Sequence, residues 1–60
     1  MTTEELLSNI RRREAEFDFE LARCEDAYRA LHILKMFNLD MQKFMAEASE
    51  MVRELEDLHK

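Results

Sequence analysis

The fold is decided by residues 7–31, whose sequence is LSNIRRREAEFDFELARCEDAYRAL. Apolar side chains recur in it at alternating spacings of three and four residues, which is the seven-residue repeat of a coiled coil. The repeat places Leu7, Glu14, Leu21 and Tyr28 at heptad position a, and Ile10, Phe17, Cys24 and Leu31 at position d. Seven of these eight residues are apolar or aromatic. The stretch therefore predicts an amphipathic helix with a continuous hydrophobic seam.

A second apolar stripe begins at Met41 and is one residue out of step with the first seam. Its members are Met41, Phe44, Met45, Ala48, Met51, Val52, Leu55 and Leu58. Between the stripes, Asn38 tolerates the conformation that ends a helix, and Asp40 is a favourable N-cap. Leu39 and Phe44 have the spacing of a hydrophobic staple around such a cap. This pattern predicts a turn at residues 38–40.

The predicted fold is an all-α antiparallel hairpin with helices at residues 3–37 and 40–58, in a single domain covering residues 1–60. Thr2 and Glu5 have the spacing of a capping box, which places the start of the first helix. The alternative is one unbroken helix in a coiled-coil dimer, because the chain contains no Gly or Pro to interrupt it.

The length of the chain predicts self-association. A chain of 60 residues buries too little surface to be very stable alone, and the single Cys24 cannot form a disulfide within the chain. The longer predicted first helix would also leave its end, from Leu6 to Phe17, uncovered by the second. We therefore expect two hairpins to form a homodimeric four-helix bundle with twofold symmetry, in which the relative direction of the chains is open.

The predicted core and dimer residues come from both stripes. They are Leu7, Ile10, Phe17, Leu21, Cys24, Tyr28, Leu31, Phe44, Met51 and Leu55. A weaker stripe of the predicted first helix consists of Ala15, Phe19, Ala22, Ala30, Ile33 and Phe37. Either stripe could serve the hairpin while the other serves the dimer. Glu14, the one charge in the first seam, could pair with Arg11 or Arg13 and fix the register.

The sequence gives no catalytic, cofactor or metal site, and we expect a protein that is not an enzyme. Cys24 is followed by two acidic residues, which disfavour a reactive thiolate. Glu56 and His59 have the spacing seen in di-iron bundles, but such a site needs further inward carboxylates, which the predicted second helix lacks. The five Met residues are expected to fill gaps in the core.

Charge and hydropathy argue against nucleic acid and membrane as partners. The formal net charge of −5 argues against general binding of nucleic acid. The apolar runs are too short to span a bilayer, and the N-terminus does not resemble a signal peptide, so we expect a cytoplasmic protein. The candidate partner-binding residues are Arg11, Arg12 and Arg13, which form a basic collar, and Phe19, which lies opposite the main seam.

The predicted function is that of a small homodimeric protein-interaction module. Its excess apolar surface and lack of catalytic apparatus are typical of an adaptor, inhibitor or regulator of a larger, unidentified protein. Short acidic helical chains without Gly or Pro are frequent among phage and plasmid accessory proteins. The alternative is an RNA-binding helical-bundle regulator, which would need the arginines and Phe19 on one exposed face.

Overall fold

The computed structural model describes residues 2–59 and shows a helical hairpin. Helix α1 spans Thr3–Ala22 and helix α2 spans Ala27–Leu58. The molecule measures 52 × 17 × 11 Å, which matches two helices lying side by side. The predicted all-α hairpin is confirmed, and the alternative of one unbroken helix is not what the chain adopts. The predicted domain, residues 1–60, extends one residue beyond the described part at each end.

Helix α1 begins where the sequence predicts. Thr2 has extended backbone geometry, and its hydroxyl oxygen accepts a hydrogen bond from the amide of Glu5 at 3.1 Å. Glu4 and Glu5 place negative charge in the first turn, where it interacts favourably with the helix dipole.

The position of the turn is a correction to the prediction. Residues 23–26 connect the helices, whereas residues 38–40 lie inside α2, so the predicted helix bounds of 3–37 and 40–58 are wrong. Asp26 is the N-cap of α2, because its carboxylate accepts a hydrogen bond from the amide of Arg29 at 2.7 Å. Asp40, the predicted cap, lies inside α2, and the chain uses Asp26 instead.

Contacts between the helices explain this choice. The rings of Phe17 and Phe37 stack with their centroids 4.1 Å apart, and Arg13 forms an ion pair with Asp40. Both contacts need α2 to continue through residues 37–40 alongside α1. A turn at residue 40 would put Asp40 at a helix end and remove both.

The buried and half-buried residues form a single line along each helix. They are Leu6, Asn9, Ile10, Arg13 and Phe17 on α1, and Ala30, Ile33, Phe37, Asp40, Met41, Phe44, Glu47, Ala48 and Met51 on α2. Within residues 2–59, just Leu6 and Ile33 fall below a tenth exposed, at 5% and 6%. The hairpin therefore has a contact line but no enclosed core.

The longer helix is the second one, which reverses the predicted overhang. Phe17 lies beside Phe37 and Arg13 beside Asp40, so the start of α1 lies near Met51. Thr2 and Thr3 indeed line one surface depression together with Met51 and Leu55. About the last two turns of α2 therefore extend past α1, and the uncovered apolar end belongs to α2.

Candidate interaction surface

The helices meet around a polar contact at mid-length. Arg13 Nε donates a hydrogen bond to Asp40 Oδ2 at 2.6 Å, and the two side chains are 16% and 33% exposed. This hydrogen bond and the charge of Asp40 raise the pKa of Arg13, so the guanidinium stays charged. Arg13 also lies over the ring of Phe37, 5.6 Å from its centroid. The pair fixes how the two helices are aligned.

The predicted basic collar is divided by this contact. Arg13 lies in the contact line, whereas Arg11 and Arg12 are exposed. Arg12 donates a hydrogen bond to the side-chain oxygen of Asn9 at 3.2 Å. Of the three arginines, therefore, only Arg11 and Arg12 are on the outer surface.

Two carboxylates of α2, those of Asp40 and Glu47, lie on the contact line, contrary to expectation. Glu47 is half-buried, and its Oε2 is buried without a hydrogen-bond partner within residues 2–59, as is Nη1 of Arg13. Among the described residues, no group of three His, Cys, Asp or Glu is arranged to hold a metal ion.

The predicted core and dimer residues fall into two groups. Ile10, Phe17, Phe44 and Met51 are half-buried along the contact line. The exposed group consists of Leu7, Leu21, Tyr28, Leu31 and Leu55. Cys24, half-buried, lies in the turn, where its thiol donates to the carbonyl oxygen of Asp26 at 3.0 Å. The turn at residues 23–26 thus divides the first seam between the two helices.

Four residues of the exposed group, all except Tyr28, belong to one broad surface, which we call the apolar face. Its members are Leu7, Ile10, Phe17 and Leu21 of α1, and Ala27, Leu31, Leu34, Met41, Met45, Ala48, Val52 and Leu55 of α2. With the contact line taken as heptad positions a and d, Leu7 and Leu34 both occupy position e. Antiparallel helices rotate in opposite senses when viewed from one end, so their e positions lie on the same side of the pair.

The apolar face is open to solvent in the single chain. Leu31 is 66% exposed and Met45 is 68% exposed, and Leu7, Leu34 and Val52 are each more than two-fifths exposed. Large contiguous apolar patches are rare on monomeric proteins and mark interaction sites.

The opposite side of the hairpin, which we call the charged face, differs in composition. Its main side chains are Glu5, Arg12, Glu16 and Arg23 of α1, and Arg29, Lys43, Glu50 and Glu54 of α2. Phe19 is 59% exposed at its edge, with the guanidinium of Arg23 4.4 Å from the ring centroid. Arg12, Phe19 and Glu16 line one shallow depression there. Phe19, predicted as a partner contact, is therefore accessible.

Sequence reasoning undervalued several residues that matter in the fold. Ala30, Ile33 and Phe37 were assigned to the weaker stripe, yet they lie on the contact line of α2. Asp26 was not identified as a cap. The signal for it was present, because Asp26 precedes an apolar run of helical period in the same way as Asp40 does.

Comparison of the chain with protein-family models, curated proteins and solved structures gives no match. No helix within residues 2–59 has both the length and the hydropathy needed to cross a membrane. The two faces of the hairpin are therefore the basis for a functional proposal.

Proposed function

We propose that the chain is a small homodimeric protein-interaction module that acts as an adaptor, inhibitor or regulator of a larger protein. The observation that carries this proposal is the apolar face, which runs along both helices and has no cover in the single chain. A second copy of the chain covers it in the proposed dimer, giving a four-helix bundle.

The exposed area supports a need for association. A compact monomer of 7.3 kDa is expected to expose about 4,200 Å². This chain exposes 5265 Å². The excess of roughly 1,100 Å² is larger than the ~800 Å² that each partner buries in a standard stable interface.

The charged face is proposed as the site for the larger protein. In a face-to-face dimer it stays on the outside, where Phe19 and Arg23 present an aromatic ring and a cation together. Aromatic residues and arginine are the side chains most enriched at the energetic centres of protein interfaces. The free thiol of Cys24 is in keeping with the reducing cytoplasm as the place of action.

An RNA-binding function is the second candidate, and one observation favours it. Phe19 with Arg23 could stack on an unpaired base, as aromatic and arginine side chains do in RNA recognition. Glu16 and Glu20 line the same depression as Phe19 and would repel phosphate, so a protein partner fits better. Salt-sensitive binding of structured RNA that is lost in Phe19→Ala would reverse this preference.

Two experiments test the proposal. Sedimentation equilibrium should give twice the chain mass of 7.3 kDa, and a monomer at all concentrations would contradict the dimer. Quantitative affinity capture should recover a protein with the wild type that is depleted at least tenfold with Phe19→Ala. The matched control is Tyr28→Ala, which removes an 85% exposed aromatic on the other helix, α2, and should retain the partner. Equal capture by both variants would exclude the Phe19 surface.

A further inference from the structure

We infer that two chains associate face to face with α2 antiparallel to α2 of the second copy, about a twofold axis that crosses the helices near Gln42. The inference rests on the proposed homodimer and specifies its partner surface and direction. It follows from three features of the apolar face: the length of its two rows, the position of their centres and the charges beside them.

The row on α2 runs almost the full length of that helix. It consists of Ala27, Leu31, Leu34, Asn38, Met41, Met45, Ala48, Val52 and Leu55, at alternating spacings of four and three residues. Eight of these nine residues are apolar. This is the pattern of a helix that packs lengthwise against another helix.

The row on α1 is shorter and less apolar. It consists of Thr3, Leu7, Ile10, Glu14, Phe17 and Leu21. Since α1 begins near the level of Met51, packing α1 against α2 of the second copy would leave Val52 and Leu55 in solvent. Packing α2 against α2 covers them. The overhang of α2 therefore selects the arrangement in which like helices are neighbours.

The centres of the two rows lie at the same level of the hairpin. The row on α1 is centred near residue 12 and the row on α2 near residue 41. Arg13 pairs with Asp40, so these two levels coincide. A single twofold axis perpendicular to the helices can therefore pass through the middle of both rows, which is what an isologous dimer requires.

This axis gives a register in which apolar residues meet. Met41 of one chain lies next to Met41 of the other, Leu34 faces Ala48, and Leu31 faces Val52. Asn38, the one polar residue in the row, faces Met45. A polar residue inside an otherwise apolar seam lowers stability but selects one register and orientation.

Charges beside the rows fit the same arrangement. On α1, Arg11 and Glu14 flank the axis, so Glu14 of one chain lies near Arg11 of the other. On α2, Lys35 and Glu56 lie along the outer edge of the row. A parallel pairing of the two α2 helices would place each of them beside the same residue of the second chain. The antiparallel pairing separates these like charges, which would otherwise oppose association.

Cysteine cross-linking tests this geometry. The background is Cys24→Ser, in which the hydroxyl can replace the thiol as donor to Asp26. Gln42→Cys places a thiol beside the axis, next to its own copy. Lys43→Cys is the matched control, because Lys43 is the next residue, is also exposed, and lies on the charged face. A short thiol-reactive cross-linker should convert most of the Gln42→Cys protein, but only a trace of the Lys43→Cys protein, to covalent dimer.

The outcomes separate this inference from the proposed function. Each variant is first examined by sedimentation. A dimer in which Gln42→Cys does not cross-link overturns the antiparallel α2 arrangement but leaves the homodimer. A dimer in which Lys43→Cys cross-links instead shows that the charged face is the interface. Monomeric protein with Gln42→Cys and with the wild type overturns both proposals.

Discussion

The line along which the two helices meet and the apolar face beside it differ in an unexpected way. The contact line contains three charged residues, Arg13, Asp40 and Glu47, and all three are half-buried. The row of the apolar face on α2 has a single polar residue, Asn38, yet all of its side chains except Met41 and Ala48 are exposed to solvent. The stronger hydrophobic pattern thus points away from the intramolecular contact, which is why we propose that the main hydrophobic core forms between chains.

The largest expected effect comes from placing a charge on the apolar face. Met45→Asp should weaken the dimer by about 3 kcal/mol, roughly 150-fold in its dissociation constant, because two carboxylates would be buried without partners. Sedimentation equilibrium measures this shift, and circular dichroism should show a parallel loss of helix at low concentration.

A matched control sharpens the comparison of the two faces. Met36→Asp places the same charge on the charged face of α2. In the single chain Met36 is less exposed than Met45, at 42% against 68%. If the hairpin acted alone, Met36→Asp would be the more damaging change. The proposed dimer requires the reverse order, and equal effects would argue against it.

The polar contact line should show a smaller effect. Asp40→Leu leaves the charge of Arg13 half-buried without its partner and should lower the free energy of unfolding by about 1–2 kcal/mol. Replacing both residues, with Arg13→Met added, should recover most of that loss. Urea denaturation at fixed protein concentration measures both. A double variant no more stable than Asp40→Leu would show that the unpaired charge of Arg13 is not the cause of the lost stability.

The position of the turn predicts that loss of the cap at residue 26 lowers the free energy of unfolding by about 1 kcal/mol. Asp26→Ala removes the N-cap of α2 and should lower the free energy of unfolding by that amount. Asp18→Ala, an exposed aspartate within α1, is the control and should change stability by less than about 0.5 kcal/mol. Thermal unfolding compares the two. Similar values for both would contradict a cap at residue 26.

The smallest effect, opposite in sign, is expected at Asn38. Asn38→Leu should strengthen the dimer by about 0.5–1 kcal/mol while weakening the selection of one register. In the Cys24→Ser and Gln42→Cys background, it should therefore lower the yield of covalent dimer. A weaker dimer would show that Asn38 makes a favourable contact in the interface.

The sequence predicts the helical content because that feature depends on local signals, which are the absence of Gly and Pro and the cap at Thr2. It predicts a hairpin because the apolar stripe changes phase along the chain. The turn was misplaced because the local signals favour Asp40, which has Asn38 before it and the staple spacing of Leu39 and Phe44, over Asp26. What selects Asp26 is the pairing of Arg13 and Phe17 with residues 27 and 20 positions away, respectively, which a local pattern does not contain.

The same limit applies to the candidate surface. The seam from Leu7 to Leu31 is predicted to lie on one helix, and this is wrong because the chain turns within it at residues 23–26. The role of each seam residue depends on where the chain turns. With the turn at residues 23–26, Leu7 and Leu21 remain exposed beside the contact line, and Ile33 becomes buried instead. Periodicity therefore identifies the apolar and polar faces of each helix. The position of the turn determines which of these faces packs against the other helix.

Sedimentation velocity of the wild-type protein, combined with equilibrium runs across a range of concentrations, tests the central proposal most directly. The antiparallel α2 dimer should have twice the mass of the 7.3 kDa chain and a compact shape, with a length near the 52 Å of one hairpin because the two chains lie side by side. A monomer at high concentration, or a dimer about twice as long as one hairpin, would contradict it.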